Sequence, residues 1–253
     1  MRKATQTYTS SHIHQLILAS SSPRRKELVA LLDLPVPVSV FSIDVDEHIH
    51  SAWQPDEAVE QLSLAKARAV AQAIKNGEAP QALPSNNALI LAADTIVVLE
   101  DQILGKPISH EDAAATLRKL SGRSHHVYTG VVLQHIAVDE NILNHSDDHD
   151  RLPIIPLGDI GQYRIQHHND SLECIIGYSC SKVTFKSLSE EEIQAYIRTG
   201  EPLDKAGSYG VQGIGSVFIE RIEGDFYSIM GLPLNLLYQM LLKFGVSPFD
   251  SYY

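Results

Sequence analysis

The sequence predicts an α/β chain, and three observations predict it. Leu16-Ile17-Leu18-Ala19 is a short apolar run that a serine turn, Ser20-Ser21-Ser22, joins to a helix opened by Pro23. Pro55 to Ile74 repeats its apolar residues at helical spacing. Ala88 to Leu99 is a nearly continuous apolar run of the kind a fully buried strand shows. With 253 residues and 44% hydrophobic content, the chain can bury a real core. Both one large α/β domain and two lobes around a cleft are compatible with that size.

Charge and cysteine usage narrow the function. A net charge of −11 argues against general nucleic-acid binding, because a polyanion would be repelled unless a basic face were segregated. A small anionic ligand held in a local cationic pocket, accompanied by a divalent metal, suits it better. Cys174 and Cys180 are the two cysteines; they match neither a disulfide framework nor a metal clip, which points to a reducing, cytoplasmic setting. The run at Ala88–Leu99 is interrupted by Asp94 and is too short to cross a bilayer. Residues 1–14 lack the apolar segment of a secretory signal, and a disordered tail is expected over 1–15.

The first element carries the first chemistry. Proline suits a helix start, since its missing N–H would be unpaired there, and Ser22 before it is a good N-cap. Arg24, Arg25 and Lys26 then crowd the end where the helix dipole is already positive, each against an effect of roughly 0.3–1 kcal/mol. An anion resting there would reverse that penalty. Helix-start N–H groups, the hydroxyls of Ser20 and Ser22 and two guanidinium forks together make a phosphate cradle.

Val36 to Phe41 reads as a strand that delivers Asp44-Val45-Asp46-Glu47-His48 into a loop. Such a cluster is either solvated or holds a hard cation through one of its acids, with Glu47 the candidate. The helix over 55–74 stops at Asn76-Gly77. Lys66 lies within its apolar stripe, so its ammonium either snorkels to solvent or points into a cleft. Asp94 interrupts the next strand. A carboxylate there needs a strand break facing a polar cavity, or a cation, and the functional reading makes it a metal ligand or general base. Lys106, in Gly105-Lys106-Pro107, returns beside it as a phosphate contact.

Ser109, with Asp112 in the capping-box place, starts a helix through Leu120. His125 to Val132 is a strand expected to pair with Cys180 to Phe185. Between them, residues 135–173 carry eight acids against two arginines, a net of −6, with little period, and read as a mobile insertion. His145 and His149 flank Asp147 and Asp148 there, with a solvated loop favoured over a metal site. Ser189 to Glu192 is a capping box. A glycine-dense block follows from Gly200 to Gly215, and its Gln212 carries both a carbonyl and an amide, suited to reading a base edge. Val217–Ile222 and Phe226–Met230 are expected to form a hairpin around Gly224-Asp225, before a last helix that packs through Leu234, Leu237 and Leu241.

These blocks together resemble the Maf family of nucleoside triphosphate pyrophosphatases. The resemblance rests on Leu18-Ala-Ser-Ser-Ser-Pro-Arg-Arg25, Ala93-Asp-Thr95, Gly105-Lys-Pro107, Leu120-Ser-Gly-Arg123 with Tyr128-Thr-Gly130, Glu201-Pro-Leu-Asp-Lys-Ala-Gly207 with Tyr209-Gly-Val-Gln-Gly213, and Gly231-Leu-Pro233. Gly210 to Gly213 is most similar to the dTTP/UTP branch, the 7-methyl-GTP branch differing in this loop. The resemblance implies a mixed central sheet in a two-lobed, ITPase-like fold with the active site in the cleft, residues 16–253 forming one catalytic domain. It implies cleavage between the α- and β-phosphates with Mg²⁺ or Mn²⁺. Asp94 falls on the catalytic acceptor, and Arg24, Thr95 and Gln212 on substrate-discriminating positions. Glu47, Lys66 and Lys106 fall on the family's remaining acid and lysines. The expected role is nucleotide-pool house-cleaning with a link to cell-division arrest, in a homodimer. The alternatives are 7-methyl-GTP as substrate, or a non-catalytic nucleotide-binding regulator. The acidic insertion departs from the family pattern.

Overall fold

The computed structural model describes residues 13–80, 83, 87–136, 153–168 and 171–250. Among these the chain runs β1 (Gln15–Leu18), α1 (Pro23–Ala30), β2 (Val38–Val40), α2 (Pro55–Lys75), β3 (Ala88–Leu99), β4 (Gln102–Leu104), α3 (His110–Leu120) and β5 (Ser124–Ile136). Then follow β6 (Ile154–Pro156), β7 (Gly161–His168), β8 (Ser171–Phe185), α4 (Glu190–Arg198), β9 (Ile219–Glu223), α5 (Phe226–Met230) and α6 (Leu234–Lys243), with three short 3₁₀ turns between α4 and β9. No described helix is long and apolar enough to cross a membrane.

All the described strands form one mixed sheet in the order β2-β1-β3-β5-β8-β7-β6, with β4 on β3 and β9 on β8. The pairs β1/β2 and β1/β3 are parallel, as their helical crossovers require. The remaining pairs are antiparallel.

Alternation along β3 divides the core. Leu89, Leu91 and Ala93 face the cluster built by α1 and α6, whereas Ala88, Ile90 and Ala92 face Leu64, Ala67 and Val70 of α2. Beyond Asp94 the partners change. Val97 and Leu99 pack with α3 and α4, and Ile96 and Val98 with Ala58 and Val59 at the start of α2. The sheet therefore carries two lobes, with the change of partner at Asp94 and Thr95.

The helix ends follow their local chemistry. The Ser22 hydroxyl accepts from the Arg25 N–H at the start of α1, and Ser189 with Glu192 makes the reciprocal capping box of α4. Ser109 caps α3, but the Asp112 carboxylate accepts from the Ile108 N–H instead of closing a box on Ser109; an aspartate is one methylene shorter than the glutamate such a box uses.

Three expectations change, and one open alternative is decided. The tail is shorter than fifteen residues at its structured end: Gln15 pairs with Ala88, His14 N–H reaches the Asn87 carbonyl, and Ile13 packs on the core. The segment 135–173 is not one mobile insertion, for β5 extends to Ile136, β6 and β7 lie within it, and β8 begins at Ser171. What orders β7 is its backbone ladder to the long β8, which a side-chain period does not report. His145, His149, Asp147 and Asp148 lie outside the described residues. The expected hairpin is absent. Phe226–Met230 is one helical turn, because the Asp225 carboxylate accepts from the Tyr227 N–H and caps it, while β9 pairs with β8 instead. Finally, β3 runs unbroken through Asp94, so a paired cation, not a strand break, accommodates that carboxylate.

Candidate active site

The cleft is a gap in the sheet. One edge of β3 is paired with β5 from Ala88 to Val98. The opposite edge is shared by β1, which pairs through Leu91, and β4, which begins pairing at Val97. Residues 92–96 face the opening between them. Side chains from both faces of β3 can thus reach a single cavity of about 900 Å³, the size of a small-molecule site. It lies beyond the carboxyl end of the parallel strand β1, where open α/β sheets bind ligands.

Of the residues the sequence singled out, Ser20, Ser22, Arg24, Arg25, Glu47, Lys66, Asp94, Thr95 and Lys106 all line this cavity. Gln212 does not. It is exposed, and its neighbours Gly210 and Val211 reach the lining instead. Lysine and arginine match the acids in number here, five of each, in a chain whose net charge is −11. The cleft is therefore far less repulsive to an anion than the protein as a whole.

Asp94 is 9% exposed. Its partner is Lys66, whose ammonium also meets Glu47 at 2.7 Å; Lys106 stands 3.9 Å from the other Glu47 oxygen. Gly130 makes this reach possible. It faces Asp94 across the β3/β5 ladder, and a Cβ there would stand 2.2 Å from the Val59 carbonyl of α2. Only glycine lets α2 sit so close, and Lys66 follows Val59 on the same helix. The hydrogen bond from Lys66 holds the Glu47 carboxyl below its usual range despite partial burial.

Arg25 is immobilised on the opposite side of the strand. Nε donates to the Gly231 carbonyl (2.8 Å), Nη2 to Thr95 Oγ1 (3.2 Å) and Nη1 to Ser20 Oγ (3.4 Å). Burial pulls its pKa down, and the Asp94 charge works against that. Arg24 is freer, with Asp204 at 3.8 Å.

Several residues of this site are not legible as such in the sequence. Asp204 and Lys205 line the cleft, and Lys205 Nζ donates to Asp204 and to the Glu201 carbonyl, each at 2.6 Å. The Glu201 carboxylate accepts from Tyr196 OH and the Ile214 N–H at 2.8 Å and from the Gly215 N–H at 3.2 Å, pinning the loop that carries Val211. A Cβ on Gly213 would fall 2.3 Å from that carboxylate, so a side chain there would have to push Glu201 aside. The sequence signal was the density of Glu201-Pro-Leu-Asp-Lys-Ala-Gly207, which marks a loop without assigning its members.

Among the described residues no group of three or more histidine, cysteine, aspartate or glutamate side chains could hold a metal ion. Of the five acids lining the cleft, Glu47 and Asp94 are in contact with one ammonium, that of Lys66.

The family model described as Maf-like protein matches residues 15–152 and 160–244. A dTTP/UTP pyrophosphatase of Symbiobacterium thermophilum is 40% identical over 239 residues, covering 94% of this chain and 98% of the relative. One from Bacillus cereus is 38% identical over 234 residues, 92% of this chain and 97% of its own. One from a Geobacillus strain is 39% identical over 231 residues, 91% and 98% respectively. With nearly the whole sheet and every wall of the cleft inside these matches, the chain belongs to the Maf family.

Proposed function

We propose that the chain is a nucleoside triphosphate pyrophosphatase that hydrolyses dTTP and UTP to the monophosphate and pyrophosphate, the substrates its relatives are named for. The observation that carries this reading is the Asp94 carboxylate, nearly buried yet open to a cleft it shares with Arg24, Arg25, Lys66 and Lys106. Residues 16–253 act as one catalytic unit in this reading, in a cytoplasmic homodimer.

The residues divide the work. Arg24, Arg25 and Lys106 offset triphosphate charge that would otherwise repel an incoming nucleophile. Asp94 takes a proton from water as the water oxygen attacks the α-phosphorus, and the bond to the bridging oxygen of pyrophosphate breaks. Lys66, in contact with that carboxylate, holds it in place until then. The Ser20 and Ser22 hydroxyls and the N–H groups opening α1 receive phosphate oxygens. Thr95, with Gly210 and Val211 of the following loop, faces the base.

Glu47 and Asp94 also fit a divalent cation. Mg²⁺ requires only one or two protein carboxylates when substrate phosphates complete its shell, and the pairing of both acids with the Lys66 ammonium supports a cationic occupant beside them. When bound, Mg²⁺ or Mn²⁺ would neutralise phosphate charge and polarise the scissile anhydride.

The test is pyrophosphate release from a panel of dTTP, UTP, CTP, ATP, GTP and 7-methyl-GTP, with Mg²⁺ or Mn²⁺. Preference for dTTP and UTP is expected. Preference for 7-methyl-GTP would move the chain to the other branch, and binding without turnover would make it a nucleotide-sensing regulator.

A further inference from the structure

Thr129 does not line the cleft, yet its hydroxyl is bonded to Thr95, which does. It stands on β5 directly across the ladder from Thr95 and is 0% exposed. Three contacts run in series: Arg25 Nη2 donates to Thr95 Oγ1 at 3.2 Å, the two threonine hydroxyls are 2.9 Å apart, and Thr129 Oγ1 donates to the Ser228 carbonyl at 2.7 Å.

Both ends of this series have a fixed direction. A guanidinium can only donate, a carbonyl can only accept, and each hydroxyl carries one proton. Thr129 commits its proton to Ser228. The contact between the threonines still needs one, since two hydroxyl oxygens at that distance repel without it, and Thr95 alone can supply it. Thr95 Oγ1 in turn receives a proton from Arg25. It is left with one lone pair and no proton for whatever fills the cleft that it lines; among the described residues nothing else takes that lone pair. The far end is firm. Ser228 also accepts from the Gly231 N–H at 2.9 Å, and its hydroxyl pairs with Ser181 Oγ, which accepts from the Asp225 N–H.

We infer that Thr129 is a positioning residue for base selection: by absorbing the Thr95 proton it makes Thr95 an obligate acceptor toward the base. Uracil and thymine carry a ring N3–H that satisfies such an acceptor. Cytosine presents a bare N3, so two acceptors would meet and both would go unpaired. Without the Thr129 hydroxyl, Thr95 could turn its proton into the cleft and the penalty on cytosine would shrink. This inference rests on the chain being a dTTP/UTP pyrophosphatase.

The experiment measures kcat/KM for UTP, CTP and N3-methyl-UTP on the wild type, Thr129→Val and Thr129→Ser, with thermal unfolding of each. The wild type should prefer UTP over both analogues by at least about tenfold, because a site built to pair a polar group rejects a ligand that leaves it unpaired. Thr129→Val should narrow the UTP-to-CTP ratio at least about fivefold, and Thr129→Ser, which keeps the hydroxyl, should restore it to within about twofold. A folded Thr129→Val with the wild-type ratio overturns the inference. So does a wild type that turns over CTP or N3-methyl-UTP as readily as UTP, a comparison that stands even where the valine variant does not fold. A wild type inactive on UTP and dTTP removes the enzyme reading itself, whereas an active one with an unmoved ratio removes only the role of Thr129.

Discussion

The Lys66 ammonium on α2 lies against the Asp94 carboxylate at the centre of β3, and 2.7 Å from Glu47. A nearly buried carboxylate is sustained only by such a partner, and in the proposed reaction Asp94 is the proton acceptor. Asp94→Asn keeps the shape and removes the base. It should fold with a Tm within a few degrees of wild type and lose at least ~10²-fold in kcat on dTTP. Wild-type turnover in that variant would take Asp94 out of the chemistry.

Glu201 holds the base-side loop through three accepted hydrogen bonds. Burial alone would raise its pKa, but these bonds outweigh that and keep it lowered. In Glu201→Gln an amide N–H must face one of the donors. The loop at 210–215 should loosen, raising KM for UTP about fivefold with kcat nearly unchanged, and stability should fall by about 1–2 kcal/mol. Steady-state kinetics and urea titration separate this from a general loss of activity.

Glu60 of α2 is paired with Arg164 of β7 in a buried contact. Burial raises the Glu60 pKa above its ordinary 4.5, and Arg164 is what restrains that rise. A carboxyl whose folded pKa is raised binds its proton more tightly in the native state, so the stability it contributes is lost as pH rises. Arg164→Met should therefore cost more at pH 8, about 3 kcal/mol, than at pH 5, where Glu60 can take up a proton. Equal cost at both pH values in urea unfolding would contradict the pairing.

His125 is buried against Phe185 and Tyr209, with Nε2 2.8 Å from the Tyr209 hydroxyl. Burial depresses its pKa from 6.5 to about 4. The unfolded chain then binds the extra proton first, so stability is complete above pH 6.5 and falls as pH drops toward 4, by about 3 kcal/mol in all. His125→Gln can still meet the Tyr209 hydroxyl but does not titrate. Between pH 7.5 and pH 5 it should lose less stability than the wild type in paired urea titrations.

The elements whose signals are local were open to reading along the chain. Proline after Ser22, glycine after Asn76, a capping box at Ser189 and an apolar run over Ala88–Leu99 each report forces that act within a few residues. The cluster of chemistry-bearing residues was legible for the same reason: cations at a helix start and an aspartate inside an apolar strand are costs that only a ligand or partner offsets. The Phe226–Met230 turn was misread because its cap depends on Asp225 lying on Ser181, 44 residues earlier. β7 was missed because its order comes from pairing with β8.

By itself, then, the sequence determined the α/β class, since composition, caps and periodicity are properties of neighbouring residues; its motifs pointed to the family, and it offered Asp94, Lys66 and the α1 arginines as candidates without revealing Asp204 or Lys205. Tertiary structure alone decided that β1 and β4 leave the edge of β3 open at residues 92–96, and that Lys66 rather than a strand break accommodates Asp94. It alone decided that Val211, not Gln212, lines the wall, and that Thr129 directs the proton of Thr95. Each of these depends on which distant backbone a strand pairs with and on which hydroxyl lies within about 3 Å of another, and such distances are set by packing, not by the order of residues along the chain.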